Sequence, residues 1–159
     1  MSKWYNRISA DSGSYNAEAL LGAVEWFENE LAVARLETKL SGSIEKASAR
    51  LPGITTERFG QLQEVEGILK FLQIRMDKEK GAAFKKYLEG YNRALSSRDA
   101  EKYADADDKV IELALLVNHI ALIRNQYLAV MKGLDAKNWQ ISNLTRLKAA
   151  GFEDYEIDG

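Results

Sequence analysis

Residues 99–132 read DAEKYADADDKVIELALLVNHIALIRNQYLAVMK, and this stretch decides the fold class. Tyr103, Ala106, Val110, Leu113, Val117, Ile120, Arg124, Tyr127, Met131 and Leu134 recur at alternating spacings of three and four, and all but Arg124 are apolar or aromatic. That is a heptad seam on one face of a helix. The spacing predicts a helix over 98–133, roughly 50 Å long at 1.5 Å per residue. Ser97 or Asp99 would cap it, with Asp99 and Glu101 facing the positive end of its dipole. A helix of that length needs a long partner. Ile111, Leu115, Leu116, Leu122 and Ile123 widen its apolar surface toward a bundle rather than a two-stranded coil. The seam residues Val110, Leu113, Val117, Ile120, Arg124, Tyr127 and Met131 are therefore predicted to hold copies of the chain together. Arg124 is the polar interruption that would fix register.

Working outward, the rest of the chain also reads as helix. There is one proline and little hairpin punctuation, so strands have almost no support. Residues 1–15 are expected to be a flexible N-terminus. Helix one should span 16–50, starting beside the capping side chain of Asn16 and burying Leu20, Val24, Phe27, Leu31 and Ala34. Leu51-Pro52-Gly53 would end it. Helix two should run over 55–95 from Thr55 or Thr56, with Leu62, Val65, Leu69, Leu72 and Met76 on one stripe. After Gly81 that stripe restarts out of phase at Phe84, Tyr87, Tyr91 and Leu95, which fits a kink, a local unwinding or a short loop. Gly133 suits a helix stop, and a short helix over 136–150 would end at Gly151. Residues 152–159 form an acidic tail. The expected architecture is all-α: a long-helix bundle with a coiled-coil-like seam, one domain over 1–159, and oligomeric.

Composition excludes several functions. The chain has no cysteine and one histidine, which removes disulfide scaffolds, thiol nucleophiles and thiolate metal sites, and leaves too few imidazoles for a di-iron bundle. No uninterrupted apolar run approaches the roughly 20 residues of a membrane helix, and Met1–Ala10 lacks a secretory apolar stretch, so a cytoplasmic protein is expected. The acidic run Asp105-x-Asp107-Asp108 lacks the glycine and terminal glutamate of a calcium loop. His119 has no carboxylate four residues away and reads as an interfacial histidine. Phosphate-cradling loops, nucleophile elbows and His-Glu-x-x-His are missing. The chain thus reads as no enzyme, with no cofactor and no metal.

Net charge is −2, yet residues 75–98 hold seven cations against three acids. Lys78, Lys80, Lys85, Lys86, Arg93 and Arg98 interleave there with Tyr87 and Tyr91. Phosphate neutralisation combined with base stacking is how single strands are bound without sequence preference. The alternative is a solvated face whose aromatics belong to the core. A second basic cluster, Lys132, Lys137, Arg146 and Lys148, is opposed only by Asp135 and flanks Trp139. Trp139 reads first as an anchor for the short helix and second as a stacking surface.

The segment Arg98-Asp99-Ala100-Glu101-Lys102-Tyr103-Ala104-Asp105-Ala106-Asp107-Asp108, the long helix after it, and Asn138-Trp139-Gln140-Ile141-Ser142-Asn143 closing on Gly151 resemble the UvsY-type recombination mediators of tailed phages. The resemblance covers about the last third of the chain. It implies a ring-like homo-oligomer that binds single-stranded DNA and helps a RecA-like recombinase displace the single-strand-binding protein, in a host-cell cytoplasm. The family's Lys-x-Arg-Leu and Tyr-Tyr-x-Gly motif has its nearest counterpart in Lys85-Lys86-Tyr87-Leu88-Glu89-Gly90-Tyr91, where Lys86 stands for the arginine. The competing expectation is a helical protein–protein module (an adaptor, a scaffold or a host-factor inhibitor) that binds no DNA.

Overall fold

The computed structural model describes residues 3–11, 13–90 and 95–151. Among them are five helices and no strand: α1 (Lys3–Ser9), α2 (Ala17–Glu37), α3 (Ile44–Gly90), α4 (Ser97–Asp105) and α5 (Asp108–Ala149). The all-α class is therefore as predicted. Tyr91, Arg93 and the acidic tail lie outside the described residues.

The described chain divides into two compact units. Unit 1 comprises residues 1–20 and 65–122; unit 2 comprises 21–64 and 123–159. Helix length is the reason. α3 has 47 residues and α5 has 42, about 70 and 63 Å at 1.5 Å per residue, so each outlasts a single small core.

In unit 1 the N-terminal residues are not a bare tether. α1 buries Ile8 and sets Tyr5 edge-on against Phe71, with ring centroids 6.2 Å apart. The ring also lies over Gly67, where a Cβ would sit 3.4 Å from Tyr5, in van der Waals contact. The backbone N–H of Asn16 donates to the Ile8 carbonyl at 3.0 Å, and the Asn16 side chain caps α2 by accepting from the Ala19 N–H at 3.0 Å. Tyr15 donates to Glu112 at 3.2 Å; burial, followed by that carboxylate, raises its pKa.

α3 runs unbroken through Gly81. The apparent phase skip disappears once Ala83 and Lys80 are placed: Leu69, Leu72, Met76, Lys80, Ala83 and Tyr87 keep a three–four rhythm. Ala83 is buried against Ala104 and Val110, with Met76, Phe84 and Tyr87 packed around them. A small residue in a packed position carries little hydrophobic signal, so the stripe looked interrupted.

The helix predicted over 98–133 is two helices. Ser96 caps α4 by accepting from the Asp99 N–H at 3.2 Å. The chain then breaks at Ala106-Asp107, and the Asp107 carboxylate accepts from the Lys109 N–H at 3.1 Å to start α5. An aspartate beside orphan amides competes with helix continuation, which is why it prefers caps. Of the predicted seam, Val110, Leu113 and Ile120 are buried in unit 1 and Val117 is half-buried. His119 is exposed.

Unit 2 corrects the two remaining breaks. Helix one ends at Glu37 instead of near 50, and the connection over 38–43 turns at Gly42, whose φ of +72° is a left-handed conformation only glycine adopts cheaply. α3 starts at Ile44, so Pro52 sits inside it and Thr55 and Thr56 do not begin a helix. A mid-helix proline lacks a donor and crowds the preceding turn at a cost of about 3 kcal/mol. The Thr56 hydroxyl donates to the Pro52 carbonyl at 2.9 Å, and Leu51 and Leu62 on either side are buried.

α5 does not stop at Gly133 either. That glycine is a close-approach site: a Cβ there would lie 2.8 Å from Thr38 Cγ2 and 3.0 Å from Thr38 Cβ. Thr38 cannot easily turn away, since its hydroxyl donates to the Arg35 carbonyl at 2.7 Å. Gly133→Ala is therefore expected to lower stability by about 1–2 kcal/mol, overpacking outweighing the gain in helix propensity. Thr38→Ser should recover part of the loss, read by urea unfolding of the single and double variants. The helix ends where Gly151 reverses with φ +90°.

The buried run of α5 in unit 2 is Ile123, Tyr127, Val130, Leu134, Lys137 and Ile141, spaced 4, 3, 4, 3 and 4. Arg124 and Met131, predicted for the seam, lie half-buried on its flank. A strict seven-residue repeat drifts about 20° per heptad on a straight helix, so a seam extrapolated from Val110 leaves the buried face. The seam residues Val110, Leu113, Ile120 and Tyr127 face this chain's own helices and are not free for a second copy.

Around Tyr127 lies a polar network. Arg58, 3% exposed, donates to Glu37 at 2.7 and 2.9 Å, to Glu30, and to Gln61 at 3.0 Å. Gln61 Oε1 also accepts from the Tyr127 hydroxyl at 3.0 Å, while Gln61 Nε2 donates to Glu30 at 2.8 Å. Lys137 Nζ donates to the Glu37 carbonyl at 2.7 Å, placing a cation at the negative end of α2. Donation from Gln61, and then Arg58, lowers the Glu30 pKa below its ordinary 4.5. A depressed folded-state pKa contributes stability that is complete above the unfolded value and is lost as pH falls through the folded one. The contribution of Glu30 should be complete above about pH 4.5 and be lost progressively below it. Glu30→Gln should flatten that loss in thermal melts taken across the acid range.

Candidate nucleic-acid interface

The residues first expected to contact DNA fall in unit 1, and its own packing uses part of the set. Lys80 pairs with Asp105 at 2.7 Å, and the hydrogen bond and charge of that carboxylate raise the lysine's pKa. Tyr87 stacks on Tyr103 with centroids 5.5 Å apart and planes 28° from parallel, and its hydroxyl donates to Asp107 at 3.4 Å. Lys86 lies 5.3 Å from the centre of the Tyr87 ring. It lines a concavity of about 450 Å³ that also holds Glu79, Asp107, Asp108 and Lys109. Three carboxylates against two ammonium groups make that hollow a poor phosphate site. Lys78, Lys85 and Arg98 are exposed.

Unit 2 presents a cleaner arrangement. Because α5 runs through Gly133, Lys132, Ala136, Trp139, Asn143 and Arg146 fall at spacings of 4, 3, 4 and 3 on one outward stripe, and all five are exposed. Trp139 is 65% exposed. It anchors nothing, so the first reading of this residue is corrected. Seven residues separate it from the cation on either side, about 10.5 Å along the axis. Leu128 and Leu147 flank the stripe and are also exposed. Lys137, grouped with these cations by sequence, points to the opposite side and belongs to the Glu37 contact. The stripe was hidden because Gly133 read as a stop, which separated Lys132 from the residues after it. Its signal was the seven-residue repeat Lys132–Trp139–Arg146.

The arrangement offers an open indole face between two cations on a rigid helix. It can hold a planar ring and two phosphates, with the exposed Asp135 carboxylate one turn from both Lys132 and Trp139. Among the described residues no group of three or more His, Cys, Asp or Glu could hold a metal ion. α5 is long and apolar enough by length and average composition to cross a membrane, with an 18-residue window of hydropathy 1.2 that is 28% buried. No known protein family, curated protein or solved structure matches this chain.

Proposed function

We propose that this chain is a non-enzymatic helical protein that binds single-stranded DNA through the Lys132–Trp139–Arg146 stripe, in the manner of a recombination mediator. The observation that carries the reading is Trp139, exposed and bracketed by cations on one helix face. In a duplex the base faces are already stacked on each other. A single strand offers them, so an indole between two phosphate-binding cations favours single strands. The resemblance of the C-terminal third to UvsY-type proteins extends the reading: the strand would be held in an oligomer while a RecA-like recombinase replaces the single-strand-binding protein.

The deciding measurement is fluorescence anisotropy of labelled oligo-dT against protein at several salt concentrations, with a duplex control. Binding that prefers the single strand and weakens steeply with salt is expected, since displaced counterions return as salt rises. No binding at low salt would overturn the reading.

A specific observation favours protein contacts as well. On α2 in unit 2, Trp26, Asn29, Val33 and Leu36 are exposed at spacings of 3, 4 and 3. This is a helical seam with an asparagine inside it, the pattern of a face that packs against another helix. Were DNA binding absent, cross-linking from a cysteine placed at Leu36 would test this face directly.

A further inference from the structure

A second charged surface lies in unit 1 and involves none of the residues of the α5 stripe. On α1, the Arg7 guanidinium sits 4.8 Å and the Lys3 ammonium 5.9 Å from the Trp4 ring centre. On α3, the Arg75 guanidinium sits 5.1 Å from the Phe71 ring centre. The two layers are joined, because Tyr5 meets Phe71 edge-on and packs against Gly67. α1 thus crosses the side of α3 that carries Arg75, Lys78 and Lys85 at helical spacings of three and seven. Among the described residues no carboxylate pairs with Lys3, Arg7, Arg75 or Lys78. By contrast, Lys80 on the opposite side of the same helix is neutralised by Asp105.

We infer that this α1–α3 face is a phosphate-contacting surface for the same nucleic acid, an inference that rests on the ligand being DNA. The rings are covered by the cations, so the surface offers charge rather than an open stacking face or an apolar wedge. That chemistry suits a backbone contact without sequence or strand preference, and it does not suit insertion into a bilayer. Arginine held flat on an aromatic ring has lost part of its rotamer freedom beforehand, which favours its hydrogen bonds to phosphate oxygens. The division of labour is then between strand discrimination at Trp139 and added phosphate contacts from Lys3, Arg7, Arg75 and Lys78.

The test is the salt dependence of oligo-dT binding by the full chain. For single strands, the slope of log affinity against log salt falls by about 0.7 per phosphate contact removed. A variant carrying Lys3→Gln, Arg7→Gln, Arg75→Gln and Lys78→Gln should show a visibly shallower slope, whereas Trp139→Ala should weaken binding with the slope intact. Because Arg75 supports Phe71, the pair Lys3→Gln/Lys78→Gln, both exposed, is measured beside it and should lose about 1.4 from the slope. Wild-type protein that fails to bind oligo-dT overturns the DNA reading and this one together. Wild-type binding with an unchanged slope in the pair variant overturns this face alone, as does a slope change seen only in a quadruple variant whose melting temperature has dropped. Binding to phosphatidylserine vesicles that exceeds binding to oligo-dT and is lost in the pair variant also overturns it.

Discussion

Arg58→Ala is expected to lower the stability of the chain by about 3 kcal/mol. The guanidinium is buried and is shared by Glu37, Glu30 and Gln61. Removing it leaves two carboxylates facing each other and an amide oxygen bonded only to Tyr127. Breaking a buried ion pair by deleting one partner costs about 3–5 kcal/mol. The lower end applies because the Glu30 and Glu37 side chains keep 28% and 23% of their exposure, so water can partly compensate. For a chain of this size the loss corresponds to a melting temperature lower by roughly 6–12 °C. Arg58→Lys should recover little, since an ammonium cannot reproduce a bidentate contact with Glu37 while reaching Glu30 and Gln61. Arg58→Met combined with Glu30→Gln and Glu37→Gln should recover more, because no uncompensated charge remains. Calorimetry or urea unfolding of these variants measures the effect. An Arg58→Ala protein that melts within a degree or two of wild type would show that the network contributes little.

Trp139→Ala is expected to weaken oligo-dT binding by about 5- to 150-fold while leaving the melting temperature within about a degree of wild type. Base stacking on an aromatic side chain is worth about 1–3 kcal/mol. The residue is two-thirds exposed and packs into neither core, so its loss should not unfold the chain. Trp139→Phe should retain most of the affinity, because a smaller π-face still stacks, and Trp139→Leu should not. Lys132→Ala and Arg146→Ala should each weaken binding and also reduce its salt dependence. Quenching of indole fluorescence by added oligo-dT, abolished in Trp139→Ala, gives an independent readout. Full affinity in Trp139→Ala would remove the stripe from the interface.

The seam of residues 99–132 and the stripe from Leu20 to Ala34 made the all-helical class legible, because apolar side chains repeating every three to four residues have one regular way to share a face. Asn16 as a cap and Gly151 as a terminator were legible as well, each through a local hydrogen bond or a local backbone conformation. The breaks were not. Pro52 and Gly133 are strong local signals for ending a helix, and both lie inside one. Ala106-Asp107 carries a weak signal, and a helix ends there.

What the sequence determined by itself was therefore the kind of element, its amphipathic period, a composition with no cysteine and one histidine, and the inventory of cations and aromatics. Only the tertiary structure decided which of those groups remain available. Gly133 is a close contact for Thr38, so α5 continues and aligns Lys132, Trp139 and Arg146. Asp105 and Tyr103 come to rest against Lys80 and Tyr87, so a basic aromatic run that looks like an interface is partly spent within unit 1. The physical reason is one of range. Propensity and periodicity act over a few residues, whereas close approach, charge pairing and exposure depend on residues tens to a hundred positions away in the chain.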